Sequence, residues 1–214
     1  MKFVTFTDGA RAAVPGALLE DLSTIVDLSA EFTDILALLD AGDAGLERAR
    51  QTVAAAKSIV RLADVKLLAP LPNPRRLRDC ALFEEHMLGG ARWAEKMGIQ
   101  HLAKVPDVWY QQPIYYKGNH LAISGTDAEI AMPSYAKLLD YELELGIIIG
   151  KPGKNIAKES ALDHLFGFVI FNDLSVRNVA MGELSGGLGP AKAKDFDGAN
   201  IIGPWLVTKD EIAD

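Results

Sequence analysis

The segment that most constrains the fold runs from Leu138 to Ile149, where acidic and apolar side chains alternate before the sequence becomes wholly apolar. A period of two is typical of a β-strand, so Asp140, Glu142 and Glu144 are expected to project from one face. Like charges this close repel one another unless a proton or a cation lies between them, and hard divalent ions prefer oxygen ligands. A chain with such a strand therefore needs either a solvated sheet face or a cation beside it.

A solvated face of an antiparallel strand is the simpler explanation of the alternation, and taken alone it is the more common arrangement. The continuation from Gly146 to Ile149 argues against it, because an unbroken apolar run indicates a strand buried on both faces. A solvated face and a cation-binding face both stay open on this segment alone.

Apolar periodicity and turn residues predict a short series of elements before residue 70. They are a hairpin of Lys2–Phe6 with Ala10–Pro15 about the turn Thr7–Gly9, an amphipathic helix from Ala44 to about Arg61, and a strand at Val65–Leu68. The proline-rich run from Pro70 to Pro74 interrupts regular structure. We therefore predict a small N-terminal domain over residues 1–70 and a larger domain over residues 71–214.

Beyond the prolines, strands outnumber helices in the predicted order. A helix with His86 on its buried face is expected to end at Gly98. It is followed by hairpin strands within Pro113–Ile130, the acidic strand, a helical stretch at Ala157–Leu165, an apolar strand at Gly167–Asn172, a helical turn from Asp173 to Met181, a glycine-rich loop at Gly182–Gly189 and a strand at Ile201–Thr208. The predicted fold class is mixed α/β and strand-dominated.

Composition narrows the classes of function. The chain has 22 Lys and Arg against 29 Asp and Glu, a net charge of −7, and no basic run, which argues against a nucleic-acid partner. No segment approaches the roughly 20 apolar residues of a membrane span, and the N-terminus lacks signal-peptide regions, so a cytoplasmic protein is expected. The single cysteine, Cys80, cannot form an internal disulfide or a thiolate metal cage. An anionic ligand would therefore require a metal ion or a few placed Lys and Arg side chains.

Four further side chains are candidates for chemistry, and each has an ordinary structural explanation. Asp173 follows an apolar strand directly and could bind a ligand there or cap the next helix. Arg177 lies one helical turn later and could pair with Asp173 or face an anionic substrate. His86 lies on an apolar face, where a packed core histidine is the more common role. Lys194, with Lys192 as the alternative, lies near a glycine-rich loop, where most lysines are solvated.

Several elements occur in a fixed order: Asp79-x6-His86, Glu142-x-Glu144, Asp173-x3-Arg177, Lys194-x-Phe196-Asp197 and Gly203-Pro204-Trp205-Leu206-Val207. Together, across residues 66–208, they resemble the fumarylacetoacetate hydrolase family. The resemblance implies a strand-dominated barrel or roll preceded by a small N-terminal domain. It also implies that the family fold continues past Asp214, since members have further strands, one of which carries a Gly-Thr substrate-binding element.

The resemblance implies a carboxylate site for a divalent ion, Mg²⁺ or Mn²⁺, with Ca²⁺ also acceptable. Its ligands by the match are Glu142, Glu144, Asp173 and Asp79. It further implies a general base that takes a proton from water, His86, and a lysine that polarises the substrate carbonyl, Lys194. The substrate contacts by the match are Arg177, Tyr116 and Lys117.

The implied activity is metal-dependent hydrolysis of C–C bonds in small 2-oxo or 1,3-dioxo acids of the acylpyruvate, fumarylacetoacetate or fumarylpyruvate type, in aromatic or amino-acid catabolism. A homodimer is the implied assembly. The same site could serve decarboxylation or isomerisation of 2-oxo acids, or a ureidoglycolate-type lyase. Ala81 and Ala180 stand where the true fumarylacetoacetate hydrolases have tyrosine and glutamine, which leaves the substrate open.

Two non-enzyme alternatives also stay open. An inactive family member could serve as a metal-binding or dimerisation module, and it would bind the ion without turning over any of these acids. An unrelated β-rich binding domain with solvated carboxylates would gain no stability from a divalent ion.

Overall fold

The structure is a computed structural model that describes residues 1–212. The chain forms two compact units: the first comprises Met1–Pro74 and the chain from His120 onward, and the second comprises Arg75–Asn119. The predicted division into residues 1–70 and 71–214 differs from this one, because the N-terminal strands share a sheet with strands beyond residue 140. Residues 213 and 214 of the predicted second domain lie outside the described residues.

One large sheet dominates the first unit. Its strands are β1 (Lys2–Thr7), β2 (Val14–Leu18), β3 (Thr24–Asp27), β4 (Ile59–Arg61), β5 (Lys66–Leu68), β8 (Ile123–Ser124), β10 (Leu143–Ile149), β11 (Leu165–Asp173) and β13 (Asn200–Thr208). The main path runs β10-β11-β13-β1-β2-β3-β4, while β5 pairs with β1 and β8 pairs with β13. All neighbouring pairs are antiparallel except β8 with β13. The strand-dominated mixed α/β class predicted from the sequence is confirmed.

The N-terminal hairpin is held by its apolar side chains. The predicted hairpin forms, with Lys2 opposite Leu18 and Phe6 opposite Val14, but its second strand begins at Val14 and not at Ala10, so the connection is longer than the predicted turn Thr7–Gly9. A cluster of buried side chains lies on one face of this region: Val4, Phe6, Val14, Leu18 and Ile25. Burying each such side chain contributes about 1.5–3 kcal/mol, so this cluster anchors the sheet on which the rest of the unit is built.

The helices of the first unit are short. Helix α1 (Ile35–Asp40) begins after Asp34, whose side chain accepts a hydrogen bond from the Ala37 amide, and α2 is Gly42–Ala55. The predicted helix therefore exists but ends at Ala55, because Ile59–Arg61 pairs with Thr24–Val26 as a strand. Among residues 1–212, none of the helices has the length and apolar character that crossing a bilayer requires.

The acidic segment is two strands rather than one. A short strand, β9 (Leu139–Asp140), pairs with β12 (Ser175–Val176), and Tyr141 and Glu142 separate it from β10. The predicted burial of both faces after Gly146 is wrong, because Ile147 and Ile149 are 47% and 62% exposed. One face of β10 packs on β11 residues such as Val169, and the other is open.

The second unit contains the two-stranded sheet of β6 (Leu77–Cys80) and β7 (Tyr115–Gly118), with α3 (Glu84–Lys96) between them in sequence. The hairpin predicted within Pro113–Ile130 does not form, because β7 pairs with β6 and β8 pairs with β13. The predicted helix is confirmed, but its His86 is exposed, not buried. The apolar periodicity therefore predicted the helix correctly, but it predicted wrongly that the face with His86 would be buried.

Two further elements differ from prediction. The fourth helix, α4 (Arg177–Gly186), takes in most of the segment predicted as a glycine-rich loop, and it ends at Gly187 in the left-handed conformation. The residue that precedes this helix is Val176, and Asp173 instead ends β11. Asp173 is therefore not a helix cap.

Candidate active site

Asp173 lies at the last position of β11, where its side chain is fully buried. Glu144 lies on the neighbouring strand, opposite Phe171, which is two residues before Asp173. This register brings one carboxylate oxygen of Glu144 and one of Asp173 within 4.8 Å of each other. Two of the predicted metal ligands are thus neighbours although 29 residues separate them in sequence.

A lysine lies among these carboxylates. The ammonium of Lys194 donates to Glu142 Oε2 at 2.5 Å and also contacts Asp173 Oδ2, and its side chain is only 11% exposed. Burial opposes the charge on Lys194, yet the carboxylates of Asp173 and Glu142 raise its pKa above the ordinary value. The structure therefore gives Lys194 a paired position and not the solvated one that is usual for a loop lysine.

Arg177 is the second cation of the cluster. Its Nε donates to Asp140 Oδ2 at 2.9 Å and its Nη1 donates to Glu142 Oε1 at 2.5 Å. The backbone fixes this position, because the Arg177 amide donates to the Leu138 carbonyl at 2.9 Å where β9 and β12 meet. The sequence left open a pairing with Asp173 or with an anionic substrate, and the structure instead pairs Arg177 with Asp140 and Glu142.

Glu142 connects the two cations, one to each of its carboxylate oxygens. Burial alone would raise the pKa of Glu142, but the Lys194 ammonium and the Arg177 guanidinium outweigh it and hold the pKa below its usual value. Glu142 is therefore ionised at neutral pH, and its charge is balanced by the two side chains that touch it.

The donor chemistry fits a hard divalent ion. Glu144 and Asp173 offer carboxylate oxygens close enough to share one ion, and such ions favour oxygen ligands. Glu142, the third predicted ligand in this unit, would join them by giving up an oxygen that Lys194 or Arg177 now holds. The cluster thus holds carboxylates that an ion could bind and a lysine that neutralises part of their charge.

The remaining predicted residues belong to the second unit. Asp79 and Tyr116 are directly opposite in the β6–β7 ladder, so their side chains share one face of that sheet. Lys117 is opposite Arg78 and projects from the other face, so the structure separates two residues that the resemblance grouped as substrate contacts. His86 lies in the first turn of α3. The roles of these four residues stay predictions.

Sequence reasoning did not identify two residues that shape the cluster. Asp140 was recognised as part of the acidic strand, yet its pairing with Arg177 depends on the short strand pair β9–β12. Glu183 was missed altogether, because it accepts hydrogen bonds from backbone amides at residues 191–193, and amides carry no sequence signature.

Comparison with solved structures shows which fold this is. Maleylpyruvate hydrolase from Sphingobium sp. SYK-6, in complex with manganese(II) ion and pyruvate, matches all of this chain and 69% of its own, at 21% identity and a TM-score of 0.71. Fumarylacetoacetate hydrolase from psychrophilic Exiguobacterium antarcticum matches all of this chain and 68% of its own, at 24% identity and a TM-score of 0.71. The fold described above is therefore the fold of the matched part of these proteins.

Comparison with curated protein sequences identifies relatives of this chain. A protein named oxaloacetate tautomerase fahd2, mitochondrial, from Xenopus laevis is 30% identical over 204 residues, 93% of this chain and 59% of its own length. Oxaloacetate tautomerase FAHD2A, mitochondrial, from Homo sapiens is 31% identical over 176 residues, 82% of this chain and 51% of its own. The chain thus spans between half and three fifths of the length of these curated relatives. Residues 89–214 match the family model described as fumarylacetoacetate (FAA) hydrolase C-terminal, and this chain belongs to the fumarylacetoacetate hydrolase family.

Proposed function

We propose that this chain acts, with a divalent ion, on small 2-oxo acids by stabilising the enolate that forms next to their carbonyl group. The observation that carries the proposal is the cluster in which Lys194 contacts both Glu142 and the buried Asp173, while Glu144 lies within ligand distance of Asp173. Enolate chemistry requires positive charge where negative charge develops, inside a site that limits solvent. The cluster provides two cations and carboxylates for a third.

The ligands that we propose for Mg²⁺ or Mn²⁺ are Glu142, Glu144 and Asp173, with Asp79 as a fourth on the resemblance alone. When bound, such an ion supplies Lewis-acid stabilisation of negative charge on substrate oxygens. Mn²⁺ is favoured as the first ion to test because the Sphingobium maleylpyruvate hydrolase was crystallised with it.

The first candidate reaction is hydrolysis of a C–C bond in an acylpyruvate-type acid. We propose that His86 takes a proton from water, whose oxygen bonds to the distal carbonyl carbon. The C–C bond then breaks, its electron pair remains on the 2-oxo acid as an enolate, and a proton converts that enolate to the keto acid. Lys194 and Arg177 hold the carbonyl and carboxylate oxygens of the substrate, because each already presents N–H donors to anionic oxygen in the cluster.

The second candidate reaction is tautomerisation of oxaloacetate. It is favoured by the curated relatives, which carry that name and are 30–31% identical to this chain. The reaction moves a proton between the methylene carbon and the carbonyl oxygen and consumes no water. The enolate and its cations are the same in both reactions, so the product distinguishes them. Decarboxylation and a ureidoglycolate-type lyase reaction are further outcomes of the same assay.

A metal titration of the metal-stripped protein tests the proposal first. Mn²⁺ at about 100 times its dissociation constant is expected to raise the unfolding temperature by roughly 5–10 °C, because it binds only the native state. Glu144→Gln should lose most of that rise, and the matched control Glu159→Gln, at an exposed position, should keep it. No rise in the wild-type protein would contradict the metal site.

Substrate assays separate the two candidate reactions. An acylpyruvate mixed with the metal-loaded protein should release pyruvate if hydrolysis is the activity. Oxaloacetate prepared as the enol should lose its ultraviolet absorbance faster than in buffer if tautomerisation is the activity. Metal-loaded protein that accelerates neither would instead support the non-enzyme metal-binding module. The predicted homodimer is tested on the same preparation by sedimentation.

A further inference from the structure

Glu183, in the second turn of α4, binds the loop that carries Lys194. Its Oε2 accepts hydrogen bonds from the amides of Ala191 and Ala193, both at 3.1 Å, and its Oε1 accepts one from the Lys192 amide at 2.7 Å. Three consecutive amides thus converge on one carboxylate. Bonds from backbone N–H groups to an ionised acceptor are stronger than neutral ones, so this contact fixes the backbone of the loop.

Other contacts reinforce the same loop. The Val176 amide donates to the Ala193 carbonyl at 2.8 Å, and the Lys194 amide donates to the Ala191 carbonyl at 2.9 Å, which closes a tight turn. The Tyr135 hydroxyl donates to the Lys192 carbonyl at 2.9 Å. Residues 191–193 therefore have little freedom, and the next residue is Lys194, whose ammonium must reach Glu142 and Asp173.

Close packing keeps the Glu183 backbone against this segment. A methyl group added at Gly189 would lie 2.6 Å from the Glu183 Cβ, so only glycine allows the chain to pass there. The same helix begins with Arg177, the other cation of the cluster. One helix therefore holds Arg177 directly and holds Lys194 through the amides that Glu183 binds.

We propose that Glu183 is a positioning residue for Lys194: its carboxylate fixes the amides of residues 191–193 so that the Lys194 ammonium stays at the reacting oxygens. The role in turnover rests on the proposed function, while the positioning itself does not. Glutamine at this position keeps one acceptor oxygen and replaces the other with a donor, so it should preserve part of the contact. Alanine removes it entirely.

Chemical labelling measures the position of Lys194 without any enzyme assay. Limiting acetic anhydride, followed by mass spectrometry, gives the acetylation rate of Lys194 relative to exposed Lys192 on the same loop. Glu183→Ala should raise that ratio by about 10-fold or more, as expected for the loss of charge-assisted hydrogen bonds, and Glu183→Gln should raise it less. An unchanged ratio in a cooperatively folded Glu183→Ala protein would overturn the proposal. If that variant does not fold, an unchanged ratio in Glu183→Gln together with unchanged hydrogen exchange at amides 191–193 would overturn it equally.

Turnover then tests whether the positioning serves the reaction. With the substrate found active above, Glu183→Ala should lower kcat by about 10-fold with little change in KM, and should lower it no further in a Lys194→Ala background. Equal losses in both backgrounds would show a general structural role and overturn the proposal. A raised labelling ratio in a protein that turns over no 2-oxo acid would support the positioning and refute the proposed function. If the wild-type protein turns over a 2-oxo acid but Glu183→Ala leaves the labelling ratio unchanged, the proposed function is supported and the positioning role is refuted.

Discussion

The ammonium of Lys194 lies against the carboxylate of Asp173, whose side chain is fully buried at the end of β11. The two residues are 21 positions apart, and the same ammonium reaches Glu142, 52 positions away. A buried carboxylate is costly unless a cation or hydrogen-bond donors compensate its charge. Lys194 provides that compensation here, which makes it both a part of the fold and a candidate participant in chemistry.

Lys194→Met should destabilise the metal-free protein by about 3 kcal/mol, because it leaves the charges of Glu142 and Asp173 without this partner. Urea unfolding measures the change. Lys192→Met, on the exposed part of the same loop, is the matched control and should change stability by at most about 1 kcal/mol, because its ammonium lies over the Tyr135 ring and touches no buried carboxylate. Mn²⁺ should stabilise Lys194→Met more than wild type, since the ion no longer competes with an ammonium. Equal destabilisation by the two variants would contradict the assignment.

The two carboxylates bound by Arg177 should differ in their contribution to stability. The side chain of Glu142 is 14% exposed and that of Asp140 is 44% exposed. Asp140→Asn should therefore cost less than about 1 kcal/mol and Glu142→Gln about 2 kcal/mol or more. Unfolding in low and high salt checks the reason, because only the Asp140 contribution should fade with salt. A larger effect at Asp140 would show that the cluster is arranged differently.

Asp27 should contribute to acid stability. Burial alone would raise its pKa, but hydrogen bonds from Ser29 and Arg11 outweigh burial and lower the pKa beneath its usual 3.8. The stability that Asp27 contributes is fully present above pH 3.8, the pKa of this group in the unfolded chain. It is lost as the pH falls through the lower pKa of the folded protein. In Asp27→Asn the free energy of unfolding should therefore decrease less steeply than in wild type as the pH is lowered below 3.8. An unchanged profile would contradict the pairing with Arg11.

Two glycines should respond oppositely to alanine. At Gly167 a methyl group would lie well inside contact distance of the Val207 carbonyl oxygen, so Gly167→Ala should destabilise by about 2 kcal/mol as β11 and β13 are forced apart. Gly182 lies within α4 with open space around it, so Gly182→Ala should stabilise by about 0.5–1 kcal/mol. Thermal unfolding of the two variants provides the measurement. Destabilisation by Gly182→Ala would indicate that this side of α4 is covered.

Local patterns identified most of the elements. The apolar run that ends at Asp173 and the turn residues after Phe6 predicted a strand and a hairpin that the structure contains, and the period of two around Glu144 predicted a strand that the structure divides into β9 and β10. Side-chain alternation and turn chemistry depend on a few adjacent residues, so they can be recognised from the sequence alone. Burial was less predictable: His86 and Ile147 both lie on apolar patterns and are exposed, because coverage depends on what packs against a surface.

The order of the motifs, a property of the sequence by itself, determined the family and the strand-dominated class, and it predicts Glu142, Glu144 and Asp173 as metal ligands. Only the tertiary structure decided which charges meet. Lys194 reaches Glu142 and Asp173 for two reasons. Strands β10 and β11 pair in one register, and Glu183 accepts hydrogen bonds from the backbone amides of residues 191–193, which directly precede Lys194. Pairing between distant segments and hydrogen bonds to the backbone leave no pattern in the order of side chains, so these relationships exist only once the chain has folded.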